Sequence, residues 1–313
     1  MNDKAMDSDA VQCTGLDPSN PLAYLTALGA LRVVTLRRPT LQPRLSFDRS
    51  VGNVPVLHGA GGLDDITAAV MEDAAQLVGT SVLSLSYDSD GTWIINGTGP
   101  NRELKPSPET AKRFLEDAAT GDPEVATIAA SYFSDVVTAG DGRIKPTALH
   151  FAAGKMQWLK MVAELRDALT AEHVQEALVG PWVGSADVPS LSWDATAARQ
   201  YALRATDPSG EKRPTIAGAN WLAYRALPFF PVHMVGRGLE TTGVSGGWKA
   251  GTFAWPLWDR AIGMATIAAL SRYDVRGLTV AERRARGIFA VQVSRILRAD
   301  QGGYGSFSPS KPA

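Results

Sequence analysis

The feature that most constrains this chain is a helix that is apolar almost all the way round. Ser19-Asn20-Pro21 supplies a capping side chain and then a proline at the first helical position, where a missing N–H costs nothing. The run that follows, Leu22 to Leu36, is broken by one charge, Arg32, and stopped by Arg37 and Arg38. Leu22, Leu25, Leu28, Leu31 and Val34 fall near one face, while alanines and Gly29 let a neighbouring element approach closely. The run is too short to span a bilayer, so the helix is expected to be buried in a soluble protein with no membrane partner. At 45% apolar over 313 residues the chain is not disordered and can build a core that needs no staples.

Further elements follow from periodicity and punctuation. Leu45–Phe47, Ser81–Tyr87 and Thr92–Asn96 read as short strands, and Leu63–Val78 as a helix. Ser107-Pro108-Glu109 opens one helix, and Asp122-Pro123-Glu124 opens another that runs to Val137. Beyond them Phe151, Trp158, Val162, Leu165 and Leu169 recur at helical spacing, and Thr170 caps a short helix to Leu178. Leu191–Trp193 and Arg199–Ala205 look extended, and Ala219–Leu227 helical. Thr252–Trp258 reads as a strand interrupted at Pro256, followed by helices over Ala261–Leu270 and Val280–Arg286 and a strand over Ile288–Ile296. The glycines of Thr138-Ala139-Gly140-Asp141-Gly142-Arg143 make this segment the best hinge. The expectation is an α+β fold of two lobes, residues 1–138 and 144–313, built from helices and short antiparallel strands.

Net charge is −1, which excludes a uniformly basic nucleic-acid binder. The charge is nevertheless unevenly laid out. Arg32, Arg37, Arg38, Arg44 and Arg49 face only Asp48 in their stretch. Arg272, Arg276, Arg283, Arg284, Arg286, Arg295 and Arg298 face only Asp274 and Glu282, whereas twelve carboxylates lie between Asp64 and Glu124. Arginine outnumbers lysine 22 to 9. Its forked donor array suits phosphates and base edges, although a GC-rich genome produces the same bias.

Motifs for catalysis are short and badly placed. Gly243-Val244-Ser245-Gly246-Gly247 matches the nucleophile-elbow pattern, and His58-Gly59-Ala60-Gly61-Gly62 resembles an oxyanion loop. The elbow needs a buried strand before the serine, a helix after it and a histidine later in the chain, yet the last histidine is His233. A serine hydrolase is therefore the alternative and not the main reading. His58, His150, His173 and His233 show no metal-binding spacing, and no phosphate loop is present. Lone Cys13 can form neither an intrachain disulfide nor a cysteine metal cage. Together with an acidic N-terminus unlike a secretory signal, it leads us to expect a cytoplasmic, non-enzymatic protein without a cofactor.

The densest unusual stretch is Gly236 to Trp258, where six glycines are interleaved with Arg237, Thr241, Thr242, Ser245, Trp248 and Lys249. Glycines let backbone N–H groups approach a phosphate, and indoles stack on bases. A glycine-rich hairpin whose tryptophans fill the core is the competing reading, and it is preferred for Trp255 and Trp258. Trp248, between Gly247 and Lys249, is the stacking candidate.

Taken in order, several segments resemble subunits of type I-U (I-G) CRISPR interference complexes. They are Gly15-Leu16-Asp17-Pro18 with Pro21–Arg32, Lys145–Phe151 with Gly154, and Trp193-Asp194 with Tyr201-Ala202-Leu203-Arg204. Leu227-Pro228-Phe229-Phe230-Pro231, Thr241-Thr242-Gly243 and Phe253–Trp258 complete the series. The resemblance spans Gly15 to Trp258 and implies a non-catalytic, large-subunit-like protein. It would work beside other complex subunits, a guide RNA, target DNA and a separate helicase-nuclease. Arg32, Arg37, Arg38, Arg237, Lys249, Arg283, Arg284 and Arg286 are then the expected phosphate contacts, with Trp248 stacking. A scaffold that touches only protein is the remaining reading.

Overall fold

The computed structural model describes residues 9–94, 99, 101–153, 156–185, 187–197, 214–298 and 304–313. Helix α1, Pro21–Arg37, begins where the cap chemistry places it, with Asn20 Oδ1 accepting the Leu22 N–H at 3.1 Å. The same side chain donates to Asp194 Oδ1 at 2.8 Å, so the cap also fastens the Trp193-Asp194 loop to the start of α1. Every residue from Pro21 to Val34 is buried. The remaining helices are α2 (Leu63–Gln76), α3 (Ser81–Ser84), α4 (Pro108–Thr120), α5 (Pro123–Ala129), α6 (Trp158–Asp167), α7 (Ala171–Val179), α8 (Ala217–Arg225), α9 (Met264–Leu270) and α10 (Val280–Ala285). Ser107, Asp122, Thr170 and Thr279 each cap a helix by accepting a backbone N–H from its first turn.

Helices α1 and α8 touch backbone to backbone. A Cβ added at Gly29 would lie 1.7 Å from the carbonyl oxygen of Leu222, and one added at Gly218 would lie 2.1 Å from that of His173. These two glycines set the approach of α8 to α1 and of α8 to α7. At the far end of the contact lies a buried charge cluster. Asp73 of α2, fully buried, accepts from Arg37 Nη2 at 2.7 Å and from Arg225 Nε at 2.7 Å. Glu124 of α5 accepts from Arg37 Nη2 at 2.9 Å, contacts Arg225, and lies 3.5 Å from Arg32 Nη1. Three guanidiniums thus share two carboxylates. Burial, reinforced by Arg225, pushes the Arg32 guanidinium down to about 9.

Strands β1 (Val11–Gln12), β2 (Arg44–Asp48) and β3 (Val54–His58) form an antiparallel sheet of order β1-β3-β2. Two hairpins follow, β4 (Phe133–Thr138) with β5 (Ile144–Pro146), and β6 (Val232–Val235) with β7 (Gly238–Thr241). Strands β8 (Val244–Ser245), β9 (Thr252–Trp258), β10 (Ile288–Arg298) and β11 (Gly305–Phe307) are ordered β11-β10-β9-β8, and β12 (Lys311–Pro312) also pairs with β10. Trp255 and Trp258 project from β9 into the core, as expected. Their indole N–H groups donate to Pro18 O at 2.9 Å and Leu45 O at 2.8 Å. Tyr24 and Phe47 pack on them, at centroid separations of 5.7 Å (Tyr24–Trp255) and 5.0 Å (Phe47–Trp258). The small antiparallel sheets among these helices make the fold α+β, as the sequence indicates.

Several expectations are corrected. Ser81–Ser84 is a helical turn and not a strand, because Val82, Leu83, Leu85 and Ser86 are all buried and no polar face alternates with an apolar one. Only Tyr87, bridging to Trp93 and Asn101, is strand-like. Helix α5 stops at Ala129, since Val136, Val137 and Thr138 belong to β4 and β-branched residues favour a pleated partner over a helix. The glycine-rich hinge is the β4–β5 turn, with Ala139 N–H donating to Arg143 O at 2.8 Å and Gly142 at a φ of 76°. The cluster of buried apolar side chains includes residues from both sides of that turn, those of α1 and α8 among them. Strand β9 runs through Pro256 unbroken. Its neighbour β8 pairs only with Thr252 and Phe253, so Pro256 is paired on the β10 side alone, opposite Val291. The expected strand at Arg199–Ala205, residues 95–96 of the Thr92–Asn96 strand, and the motif residues Gly154 and Tyr201–Arg204 lie outside the described residues.

Two predictions follow from the α1–α8 contact. Gly29→Ala is expected to cost about 3 kcal/mol, because the methyl meets the backbone of α8 and not a yielding side chain; urea denaturation measures it, and a loss below about 1 kcal/mol would show that α8 can step aside. Asp73→Asn leaves three guanidiniums around Glu124 alone and is expected to cost about 3–5 kcal/mol.

Candidate nucleic-acid interface

The surface with the clearest chemistry is built by the turn and short helix that follow α9. Asp274 Oδ1 accepts the Arg276 N–H at 3.3 Å, closing an Asx-type turn, and Val275 anchors it in the core at 3% exposure. Arg272, Tyr273 and Arg276 consequently point outward and are exposed. Helix α10 then starts with a capping box, in which the Glu282 carboxylate accepts both the backbone N–H and the hydroxyl of Thr279 at 2.8 Å. These hydrogen bonds hold the Glu282 carboxyl below its ordinary range. The one carboxylate on α10 is held by the cap; Arg286 acts on it through space, but among the described residues neither Arg284 nor Arg286 closes a salt bridge.

Two clefts flank Tyr273, which lines both. The first, of about 590 Å³, lies between Arg272, Asp274 and Arg276 on one side and His233, Glu240 and Ser245 on the other. The second, of about 370 Å³, is lined by Arg260, Arg284, Arg286 and Thr266 over Trp258, Ile262 and Leu270. Three guanidiniums and no carboxylate border the second cleft. In the first, Asp274 sits 3.7 Å from Arg276 Nε and Glu240 adds a further negative charge. Arg286 holds its guanidinium 5.2 Å from the Tyr273 ring centroid and donates to Glu282 O at 3.0 Å, which fixes the two side chains relative to each other.

The expected contact residues meet different fates. Arg284 and Arg286 come together in the second cleft. Arg283, on the same helix, turns away and donates to Ala313 O at 3.1 Å and Arg276 O at 3.3 Å, tying the last strand to the arginine turn. Arg32 is buried and pairs with the carboxylate of Glu124, and Arg37, partly buried, pairs with those of Asp73 and Glu124. Arg38 forms a bidentate surface pair with Glu72, at 2.7 and 2.8 Å, which neutralises it. Arg237 is exposed at the tip of the β6–β7 hairpin and Lys249 in the β8–β9 turn.

Trp248 is not an open platform. The Arg298 guanidinium lies 3.6 Å from its ring centroid, and the Lys145 amine 5.8 Å. Arg298 is fixed in turn by donating to the carbonyls of Trp248, His150 and Ala148 at 2.8–3.1 Å, and burial pushes it down to about 10. The indole therefore packs under a structural arginine. The cleft-lining residues that the sequence reading did not single out as contacts are Arg260, Arg272, Tyr273 and Arg276. Arg272-Tyr273-Asp274-Val275-Arg276, directly after a helix, is the local signal for three of them; Arg260 has none, because only the fold carries it to α10.

Ser245 does not make a nucleophile elbow. It lies on β8, which turns into β9 and not into a helix, and the partner of its hydroxyl is the Arg276 guanidinium, a donor and not a base. Among the described residues no group of three or more metal-ligating side chains converges, and no helix is long and apolar enough to cross a membrane. Comparison of the chain with protein-family models and with curated proteins finds no match.

Proposed function

We propose that this chain is a non-catalytic subunit of a type I CRISPR RNA-guided interference complex, of the I-U (I-G) kind, contacting nucleic-acid phosphates through the arginine face around Tyr273. The observation that carries the reading is the second cleft, where Arg260, Arg284 and Arg286 converge without a neutralising carboxylate. Arginine forks bind phosphate oxygens in pairs, and each such contact displaces condensed counterions. A net charge of −1 does not oppose this, since a surface potential is local and is screened within about 8–10 Å at ordinary salt. The ordered series of motifs from Gly15 to Trp258 supplies the particular complex. In it the guide RNA reads sequence by pairing, and the protein holds backbone phosphates, neighbouring subunits and the recruited helicase-nuclease. The exposed β6–β7 tip, with Met234 and Val235 about half exposed beside Arg237, suits a protein neighbour.

Two measurements test the proposal. Tagged protein, co-expressed with its genomic neighbours and a CRISPR array, is expected to elute at moderate salt with partner subunits and an RNA of one guide length; elution alone and free of nucleic acid overturns it. Replacing Arg260, Arg284 and Arg286 by glutamine is expected to weaken binding to all sequences alike and to reduce the slope of log affinity against log salt by about one per lost contact. An unchanged slope would remove the second cleft from the interface.

A further inference from the structure

We infer that the two clefts beside Tyr273 form one track for a single strand of nucleic acid, with a phosphate in the Arg260–Arg284–Arg286 cleft and an unpaired base stacked on the Tyr273 ring. The inference rests on the nucleic-acid reading above and narrows it from any polyanion to an unpaired strand. Three observations carry it. Tyr273 is 50% exposed, and one face of its ring is held by the Arg286 guanidinium, itself at the surface, 5.2 Å from the centroid. An aromatic held upright in solvent between two concave sites is a stacking post, and stacking is open to a base only when that base has left its duplex.

The clefts also differ in the way that the two halves of a nucleotide differ. The smaller carries three arginines and no carboxylate above a mainly apolar floor, so the charge it offers a ligand is positive only, which matches phosphate. The larger mixes donors on Arg272 and Arg276 with acceptors on Glu240 and Asp274. Its carboxylates would repel a phosphate, whereas a base edge carries both donors and acceptors and can use both. Volumes of about 370 and 590 Å³ lie in the range of small-molecule clefts. A duplex rod would lie across the outer rims, with its bases stacked inside it and Tyr273 unused. Trp248, the other aromatic among cations, cannot serve in this way because Arg298 covers it.

Fluorescence anisotropy with the full-length protein tests the track, using labelled oligothymidylate of about 15 nucleotides and a mixed-sequence duplex of the same length. Tyr273→Ala is expected to weaken oligothymidylate binding roughly tenfold, to leave duplex binding and both salt slopes unchanged, and to be rescued by Tyr273→Phe, which keeps the ring. Arg284→Gln with Arg286→Gln is expected to reduce the salt slope for both polymers. If Tyr273→Ala weakens both polymers equally, or neither, the stacking track is overturned while the phosphate-binding face stands. If the unaltered protein binds neither polymer at low salt, the nucleic-acid reading falls and the track with it.

Discussion

The contact between α1 and α8 closes to backbone distance at Gly29, and most of the molecule is arranged around that closeness. Each helix is buried along nearly its whole length, so neither can be stable until the other covers it. Between them they recruit every layer. The single Thr26 hydroxyl proton is shared between Leu22 O within α1, at 2.7 Å, and Ala219 O across to α8, at 3.1 Å. Tyr24 on one side of α1 reaches the tryptophans of β9, and Tyr224 on α8 hydrogen-bonds Tyr132 at 2.7 Å ahead of the β4–β5 hairpin. The Asp73–Glu124 cluster then pins α2 and α5 to the ends of the same pair. Buried charge adds little net stability against an apolar alternative, but it penalises any register in which guanidinium and carboxylate fail to meet. Its contribution is to specify how four helices converge.

Arginine in this protein has two uses, and the carboxylates decide between them. Where α2 and α5 bring Asp73 and Glu124 to the end of α1, Arg32, Arg37 and Arg225 become interior struts. On α10 the single carboxylate is held by its own helix terminus, which leaves Arg284 and Arg286 facing solvent. The two stretches look alike in one dimension, each a run of arginines with few acids near in sequence. They differ only in which distant residues the fold delivers.

That difference sets how far the sequence can be read. Elements announced by local chemistry are legible: Asn20-Pro21, Ser107-Pro108 and Thr170 start helices where their side chains accept a backbone N–H, and Trp255 and Trp258 read as the core filling of a glycine-rich hairpin. Elements decided by distant partners are not. Val136 to Thr138 continue a helical pattern until β5 offers them a ladder, and the glycines of 140–142 signal a bend without saying whether it joins two lobes or two strands. The same division runs through the interface. Arg284 and Arg286 are readable as unneutralised cations, whereas Arg260 enters only because Trp258 is anchored to Leu45 at 2.8 Å and carries the chain back under α10.

A capping box ordinarily matters for the helix it begins. On α10, a helix of six residues, the box can add only modest helical stability, yet it has a larger electrostatic effect. Without it the Glu282 side chain would be free to pair with Arg286 four residues on, the favourable arrangement for an exposed acid and base on a helix. Held by two Thr279 donors, the carboxylate faces the helix start, and Arg286 is left to brace Tyr273. The Thr279 hydroxyl thereby turns the carboxylate toward the helix start, where Arg286 acts on it only through space. The charge of this surface depends less on how many arginines the stretch contains than on where its one glutamate is tied.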